Sequence, residues 1–155
     1  MYWENIEGMF TFQILYNSMI NNFPSGSLFV EIGAWKGKST IFMAERIKES
    51  GKSITFYTID PFNGDGGGYD QDKDVKNNTL FDSYNKNIEP VKSYINTIKA
   101  YSYDAVVNFK DQSIDFLFID GDHRYEGVRK DLNMWFPKIK DDGIISGDDY
   151  DEPSC

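Results

Sequence analysis

Apolar and aromatic residues Phe12, Leu15, Tyr16, Met19 and Ile20 recur at helical spacing, and Asn21-Asn22-Phe23-Pro24-Ser25-Gly26 ends that helix. From Ser27 to Ile32 the pattern changes to a short, nearly all-apolar run with Glu31 near its end, the signature of a strand covered on both faces. A glycine loop from Gly33 to Gly37 and a helix from Lys38 to Glu49 follow, and Gly51 marks the helix end. The unit then repeats. A strand from Ile54 to Ile59 leads into a polar, glycine-rich stretch from Pro61 to Lys76, a helix from Leu80 to Asn87 and a strand from Tyr94 to Lys99. A short helix from Ser102 to Phe109 precedes Ile114 to Ile119, the most strand-like run of the chain. A helix from Tyr125 to Phe136, with Val128, Leu132, Trp135 and Phe136 on one face, and a strand from Gly143 to Ser146 complete the pattern. Strands alternating with helices predict an α/β domain with a parallel sheet covered on both sides. In such sheets ligands bind beyond the C-terminal ends of the strands, so the residues just after each strand are the informative ones.

The 155 residues suffice for one domain, divided here into an N-terminal helical segment, 1–26, and a sheet domain, 27–155. Hydrophobic residues make up 40% and aromatics 16%, enough to close a core and to exclude a disordered or collagen-like chain. Against 16 Lys and Arg stand 25 Asp and Glu, a net charge of −9 that repels phosphate backbones. Nucleic acid and anionic membranes are therefore not expected as partners, and a small-molecule substrate is. Cys155 is the only cysteine, so no intrachain disulfide and no Cys/His zinc site can form. Glu4 and Glu7 stand where a signal peptide needs basic residues, and no run approaches the ~18 apolar residues of a membrane span. The expectation is a soluble, cytoplasmic protein.

The chemistry begins with Val30-Glu31-Ile32-Gly33-Ala34-Trp35-Lys36-Gly37-Lys38-Ser39-Thr40, a strand, a tight glycine turn and a helix start, where helix N–H groups can hold a ligand. A dinucleotide fingerprint needs glycines where Trp35 and Lys38 stand. A Walker A loop needs four residues between its glycines, and Gly33 and Gly37 enclose only three. S-adenosylmethionine, with an amino acid end and a ribose but no phosphate, fits better. Glu31 can hold its ammonium and the helix N–H groups its carboxylate, while Gly33 lets the backbone approach. Asp60, 23 residues beyond Gly37 at the next strand end, can accept both ribose hydroxyls. A plain tight turn for Gly33 and Gly37, and a loop or cap role for Asp60, are the competing readings.

These residues, with Ile6-Glu7-Gly8-Met9-Phe10-Thr11, Phe118-Ile119-Asp120-Gly121-Asp122-His123-Arg124-Tyr125-Glu126-Gly127-Val128 and Gly143-Ile144-Ile145-Ser146-Gly147-Asp148-Asp149-Tyr150, resemble the class I S-adenosylmethionine-dependent methyltransferases. Within that class the chain is similar to the small-molecule branch of macrocin-type and mycinamicin-type sugar O-methyltransferases. The resemblance runs from about Ile6 to Tyr150 and implies a Rossmann-like doubly wound sheet of strand order 3-2-1-4-5. It further implies cofactor contacts from Glu31, Gly33, Ala34, Gly37, Ser39 and Asp60, with Ser102 near the adenine, and methyl transfer to a hydroxyl of a small, sugar-like acceptor. Family members continue past the fifth strand, whereas this chain stops at Cys155. The fifth strand is then an apolar edge, which either pairs with another chain or marks a fragment or a catalytically incomplete S-adenosylmethionine-binding remnant, the alternative reading of the function.

Asp120 follows the fourth strand and Asp148-Asp149 the fifth. Converging carboxylates repel unless a cation compensates, and an all-oxygen set suits magnesium, which would lower the pKa of an acceptor hydroxyl and orient it. Metal-dependent relatives similar to this chain place ligands at the positions matching Asp120, Asp148 and Asp149. His123, the only histidine, stands three residues past Asp120 and is the expected base for the hydroxyl proton. Capping of the next helix by Asp122 and His123, and a solvated acidic tail for Asp148 and Asp149, are the alternatives. The cluster Asp70-Gln71-Asp72-Lys73-Asp74 resembles a calcium loop but has Val75 where glycine is required and Phe81 where the bidentate Glu must sit. It is expected to be a solvated loop, part of a lid with Gly64-Asp65-Gly66-Gly67-Gly68. Tyr2, Trp3, Met9 and Phe10 are placed either on the other side of the pocket or in ordinary packing.

Overall fold

The computed structural model describes residues 1–65 and 71–148. Strands β1 (Leu28–Ile32), β2 (Thr55–Asp60), β3 (Asn96–Lys99), β4 (Ile114–Ile119) and β5 (Ile139–Gly147) form one sheet in the order β3-β2-β1-β4-β5. Every neighbouring pair is parallel. This is the Rossmann-like order implied by the resemblance.

The side-chain period of two explains why the strands are apolar throughout. Phe29, Phe56, Phe116 and Phe118 point to one face, where α1 (Gln13–Asn22), α2 (Lys38–Ser50) and α4 (Leu80–Ile88) cover them with Tyr16, Met43 and Tyr84. Val30, Ile32, Ile59, Leu117 and Ile119 point to the other, beneath α5 (Ser102–Ala105) and α6 (Tyr125–Trp135), where Trp135 is fully buried. The N-terminal segment shares the first core: Phe10 packs against Tyr16 and Phe42, and Trp3 meets Phe10 and Phe42 edge-on.

Three elements differ from the pattern. The short helix α3 (Lys73–Lys76) lies inside the stretch read as loop, and the Asp72 carboxylate caps it by accepting the Asp74 and Val75 N–H groups at 2.7 and 3.3 Å. β3 starts at Asn96 because Pro90 opens a 3₁₀ turn over Glu89–Tyr94. β5 starts at Ile139, ahead of the apolar run, with an irregular register between Ile114 and Phe116 on β4. Lys140, Asp141 and Asp142 mask this start in the sequence, and a strand at the sheet edge accommodates them. Among the described residues no helix is long and apolar enough to cross a membrane.

Candidate active site

The C-terminal ends of β1 to β4 border a cleft of about 330 Å³. Its floor is the turn after β1. Gly33 adopts φ +91° and donates its N–H to the Ile59 carbonyl at 2.8 Å. Asp120 donates its own N–H to the Ile32 carbonyl at 2.8 Å, which brings the β4 end so close that a Cβ on Gly33 would lie 1.9 Å from the Asp120 carbonyl oxygen. Only glycine fits there, for reasons of conformation and of space.

Asp60, at the end of β2, fixes the rest of the turn. One carboxylate oxygen accepts the N–H groups of Ala34 and Trp35 at 2.8 and 2.9 Å, and the other accepts that of Phe62 at 2.6 Å. The loop role of Asp60 is thus realised. A carboxylate has about four lone-pair directions, so the group, which lines the cleft, can accept one more bond. Trp35 is held at φ +45° with its ring against Gly8, where a Cβ would come within 2.8 Å. Gly8 and the 97% exposed Met9 also line the cleft, whereas Trp3 packs into the core.

Glu31, expected to hold the cofactor's ammonium directly or through water, is not one of the residues that line the cleft. It lies beneath the floor, fully buried, and accepts hydrogen bonds from Tyr16 Oη at 3.0 Å, Thr40 Oγ1 at 2.5 Å and Thr58 Oγ1 at 3.0 Å. Burial pushes its carboxyl up from the ordinary range, and the hydroxyls of Thr40, Ser39, Tyr16 and Thr58 oppose that. Strand alternation is the reason: Glu31 points to the α1 and α2 face, while Ile32 and Gly33 border the cleft. Gly37, at φ +87°, is likewise not a lining residue. A Cβ there would press on Tyr84 at 3.1 Å and Ile88 at 3.2 Å, so it lets α4 approach α2.

Ala34, Ser39, Ser102 and Asp120 do line the cleft. His123, the expected base, is not one of the lining residues; its Nε2 lies 3.8 Å from Oδ1 of the lining Asp120, with both side chains about a quarter exposed. Asp122 accepts the Arg124 N–H at 3.0 Å in the turn before α6, and its carboxylate also pairs with the Arg124 guanidinium at 2.7 and 2.8 Å, while Arg124, the N-cap residue of α6, makes no side-chain capping bond. That guanidinium holds the Asp122 carboxyl below the usual carboxylate range. Arg124 also lies 3.5 Å from Asp65, joining the loops after β2 and β4. The register Ile119↔Gly147 sets Asp120 and Asp148 at adjacent strand ends. Asp149, the third residue of the expected magnesium set, lies outside the described residues. Among those described, no three His, Cys, Asp or Glu side chains come together closely enough to hold a metal ion.

Two groups had no sequence signal. Lys36, only 3% exposed, sits on the turn and pairs with Glu7 at 2.8 Å, Asp72 at 2.7 Å and Asp74 at 3.3 Å. Burial works against its charge, but these carboxylates outweigh that and raise its pKa. Asp72 and Asp74 are therefore not a solvated loop: they turn inward and neutralise the floor of the site. Asp131 on α6 is buried at the cleft, with the Ser102 hydroxyl donating to its Oδ1. Both would have required knowing which distant segments meet.

Residues 30–150 match the family described as methyltransferase domain. The chain belongs to that family. This methyltransferase domain is 33% identical over 147 residues to the uncharacterized protein R132 of Acanthamoeba polyphaga mimivirus, a match covering 91% of the chain and 59% of that protein. Its fold superposes on a Staphylococcus aureus protein provisionally named a caffeoyl-CoA O-methyltransferase, with TM-score 0.64, 18% identity, and coverage of 94% of this chain and 60% of that one. The O-methyltransferase NovP superposes with TM-score 0.61 and 20% identity, over 90% of this chain and 65% of NovP. The methyltransferase domain described here thus spans about three fifths of the length of the mimivirus and staphylococcal proteins.

Proposed function

We propose that this domain binds S-adenosylmethionine in the cleft and passes its methyl group to a hydroxyl of a small, sugar-like acceptor. The observation that carries the reading is the turn at Gly33. Three strand ends close on it, the Asp60 carboxylate holds its N–H groups, and Ser39, Ser102 and Asp120 surround it in a chain of the methyltransferase domain family. The residues present fit an adenosyl ligand: Asp60 keeps an acceptor for a ribose hydroxyl, and the N-terminus of α2 is open at Ser39 for a carboxylate. Glu31 supports the floor through Tyr16, Thr40 and Thr58 rather than meeting the ligand. The sugar-like acceptor rests on the sequence resemblance.

The bound sulfonium supplies an already activated methyl group. The domain needs only to align the acceptor oxygen with it, exclude water and take the hydroxyl proton. His123 is the base, and Asp120 beside it stabilises the imidazolium that forms. The acceptor oxygen forms its bond to the methyl carbon, the carbon–sulfur bond breaks with its electron pair staying on sulfur, and the proton ends on His123. Pairing of β5 edges between two copies belongs to the same proposal, and a strictly monomeric protein in light scattering would remove it.

Calorimetry with S-adenosylhomocysteine and ATP tests the cofactor: the former should bind and ATP should not. Asp60→Ala should weaken binding of S-adenosylhomocysteine by at least about tenfold. His123→Ala should leave it nearly unchanged while lowering the transfer rate by about a hundredfold or more. Transfer abolished by EDTA and restored by Mg²⁺ would add the metal, and binding without transfer across a hydroxyl panel would overturn the enzymatic part.

A further inference from the structure

With the cofactor laid from the Gly33–Ser39 turn past Asp60, the acceptor is left the part of the cleft between the N-terminal segment and the β4 end. The chain from Gly8 to Phe12 runs from Trp35, against which Gly8 packs, across to β4, where Phe12 meets Phe118 with ring centres 5.0 Å apart. Gly8 and the exposed Met9 therefore border this part on one side, and Asp120 and Gly121, next to His123, border it on the other. Three cationic residues line the cleft among those described: Lys38, Arg124 and Lys130. The Arg124 guanidinium is already neutralised by Asp122 at 2.7 Å, and Lys130 on α6 holds its ammonium 3.7 Å from the centre of the Tyr103 ring. Lys38, the half-buried first residue of α2, is the third. Its stem passes Gly8, and its ammonium lies 5.9 Å from the centre of the Trp3 ring, the far limit of a cation–π attraction. Among the described residues no carboxylate lies within salt-bridge distance of it, whereas Lys36, two positions earlier, gathers three.

Resting on the cofactor and acceptor reading above, we propose that Lys38 selects the acceptor by charge: its ammonium pairs with a carboxylate or phosphate on the sugar-like molecule whose hydroxyl takes the methyl group. A lysine is a compact point charge with three rotatable donors, so it holds either anion without demanding a planar geometry. The net charge of −9 repels anions from the surface at large, so an ammonium on the acceptor side of the cleft decides whether one is retained. The cofactor's own carboxylate has the α2 N–H groups and Ser39 and does not require Lys38. An anion anchored at Lys38, beside Met9, leaves the rest of the acceptor to extend toward Asp120 and His123, where its hydroxyl loses the proton.

The test is calorimetry on the full chain saturated with S-adenosylhomocysteine and titrated with D-glucuronate, D-glucose 6-phosphate and neutral D-glucose. At least one of the two anions should bind about tenfold or more tightly than glucose, by an amount that shrinks as salt is added. Which of the two binds distinguishes a carboxylate from a phosphate. Lys38→Met, which keeps the apolar stem, should bring the anion to the level of glucose, and Lys38→Arg should retain most of the preference. Should Lys38→Met not fold, Lys38→Gln serves in its place. The affinity of Lys38→Met for S-adenosylhomocysteine itself should stay within about twofold of the wild type. A wild type that binds neither anion more tightly than glucose, or a preference kept intact in Lys38→Met, overturns the inference alone. A loss of about tenfold in S-adenosylhomocysteine affinity in Lys38→Met assigns the ammonium to the cofactor's carboxylate and overturns it as well. A wild type that does not bind S-adenosylhomocysteine overturns the cofactor reading and this inference with it.

Discussion

A single methyl group decides the turn at Gly33. Gly33→Ala would drive Cβ into the Asp120 carbonyl, backbone against backbone, at a φ that alanine disfavours. We expect a loss of about 4 kcal/mol or more, or failure to fold, measured by urea unfolding. Glu31 makes the complementary case. Glu31→Ala strands three buried hydroxyls and should cost about 3 kcal/mol, whereas Glu31→Gln keeps an acceptor, removes a buried charge and should cost under half of that. Binding of S-adenosylhomocysteine to Glu31→Gln should change less than about threefold, because the side chain lies below the floor; a loss of about tenfold or more would put it back in the site. The sequence made the position of Glu31 legible but not its direction. Which face a strand residue takes is fixed by period, yet the three hydroxyls that receive it come from α1, α2 and β2.

Lys36 works at the scale of elements. Its ammonium ties the N-terminal segment, through Glu7, and α3, through Asp72 and Asp74, to the turn that carries Trp35. Lys36→Met leaves Asp72 and Asp74 facing each other without a cation and should lower stability by about 3 kcal/mol. Glu7→Gln, on the exposed arm of the cluster, should cost less than about 1 kcal/mol. Thermal melts of the two variants compare the arms directly, and equal losses would show that the cluster is not centred on Lys36. Elements with strong local signals were legible. β4 follows from an uninterrupted apolar run, and α2 from its position between Gly37 and Gly51, both at positive φ. α3 and the start of β5 were not, because Asp72 and Lys140 to Asp142 look polar in sequence and gain their roles only from Lys36 and from the sheet edge.

For the molecule as a whole, the buried carboxyls pull stability in opposite directions as pH changes. Burial opposes ionisation of Asp72, but the hydrogen bonds from Lys36 and the α3 N–H groups outweigh it and hold its folded pKa below the ordinary value. Its contribution is present above the unfolded pKa and is lost as pH falls through the folded one. Glu31 is raised by burial from 4.5, so the folded state binds its proton more tightly. Acidification from neutral pH toward that unfolded value therefore stabilises, and the gain is lost again as pH rises through the folded pKa. The melting temperature of the wild type should rise slightly on moderate acidification and drop below about pH 4; Glu31→Gln should reduce the rise, leaving the share of the likewise raised Asp131, while keeping the drop. A flat wild-type profile between pH 7 and pH 5 would contradict this. The sequence by itself determined the parallel α/β sheet, the presence and chain order of its five strands and the glycine turn after the first, because hydrophobic period and glycine punctuation are local signals. Only the tertiary structure decided that Glu31 supports the floor, that Asp60 clamps the turn, that Lys36 gathers three acids and that Asp131 reaches Ser102. Each of those depends on which distant segments the packed core brings within hydrogen-bonding distance, and that is a property of the closed core, not of any stretch of chain.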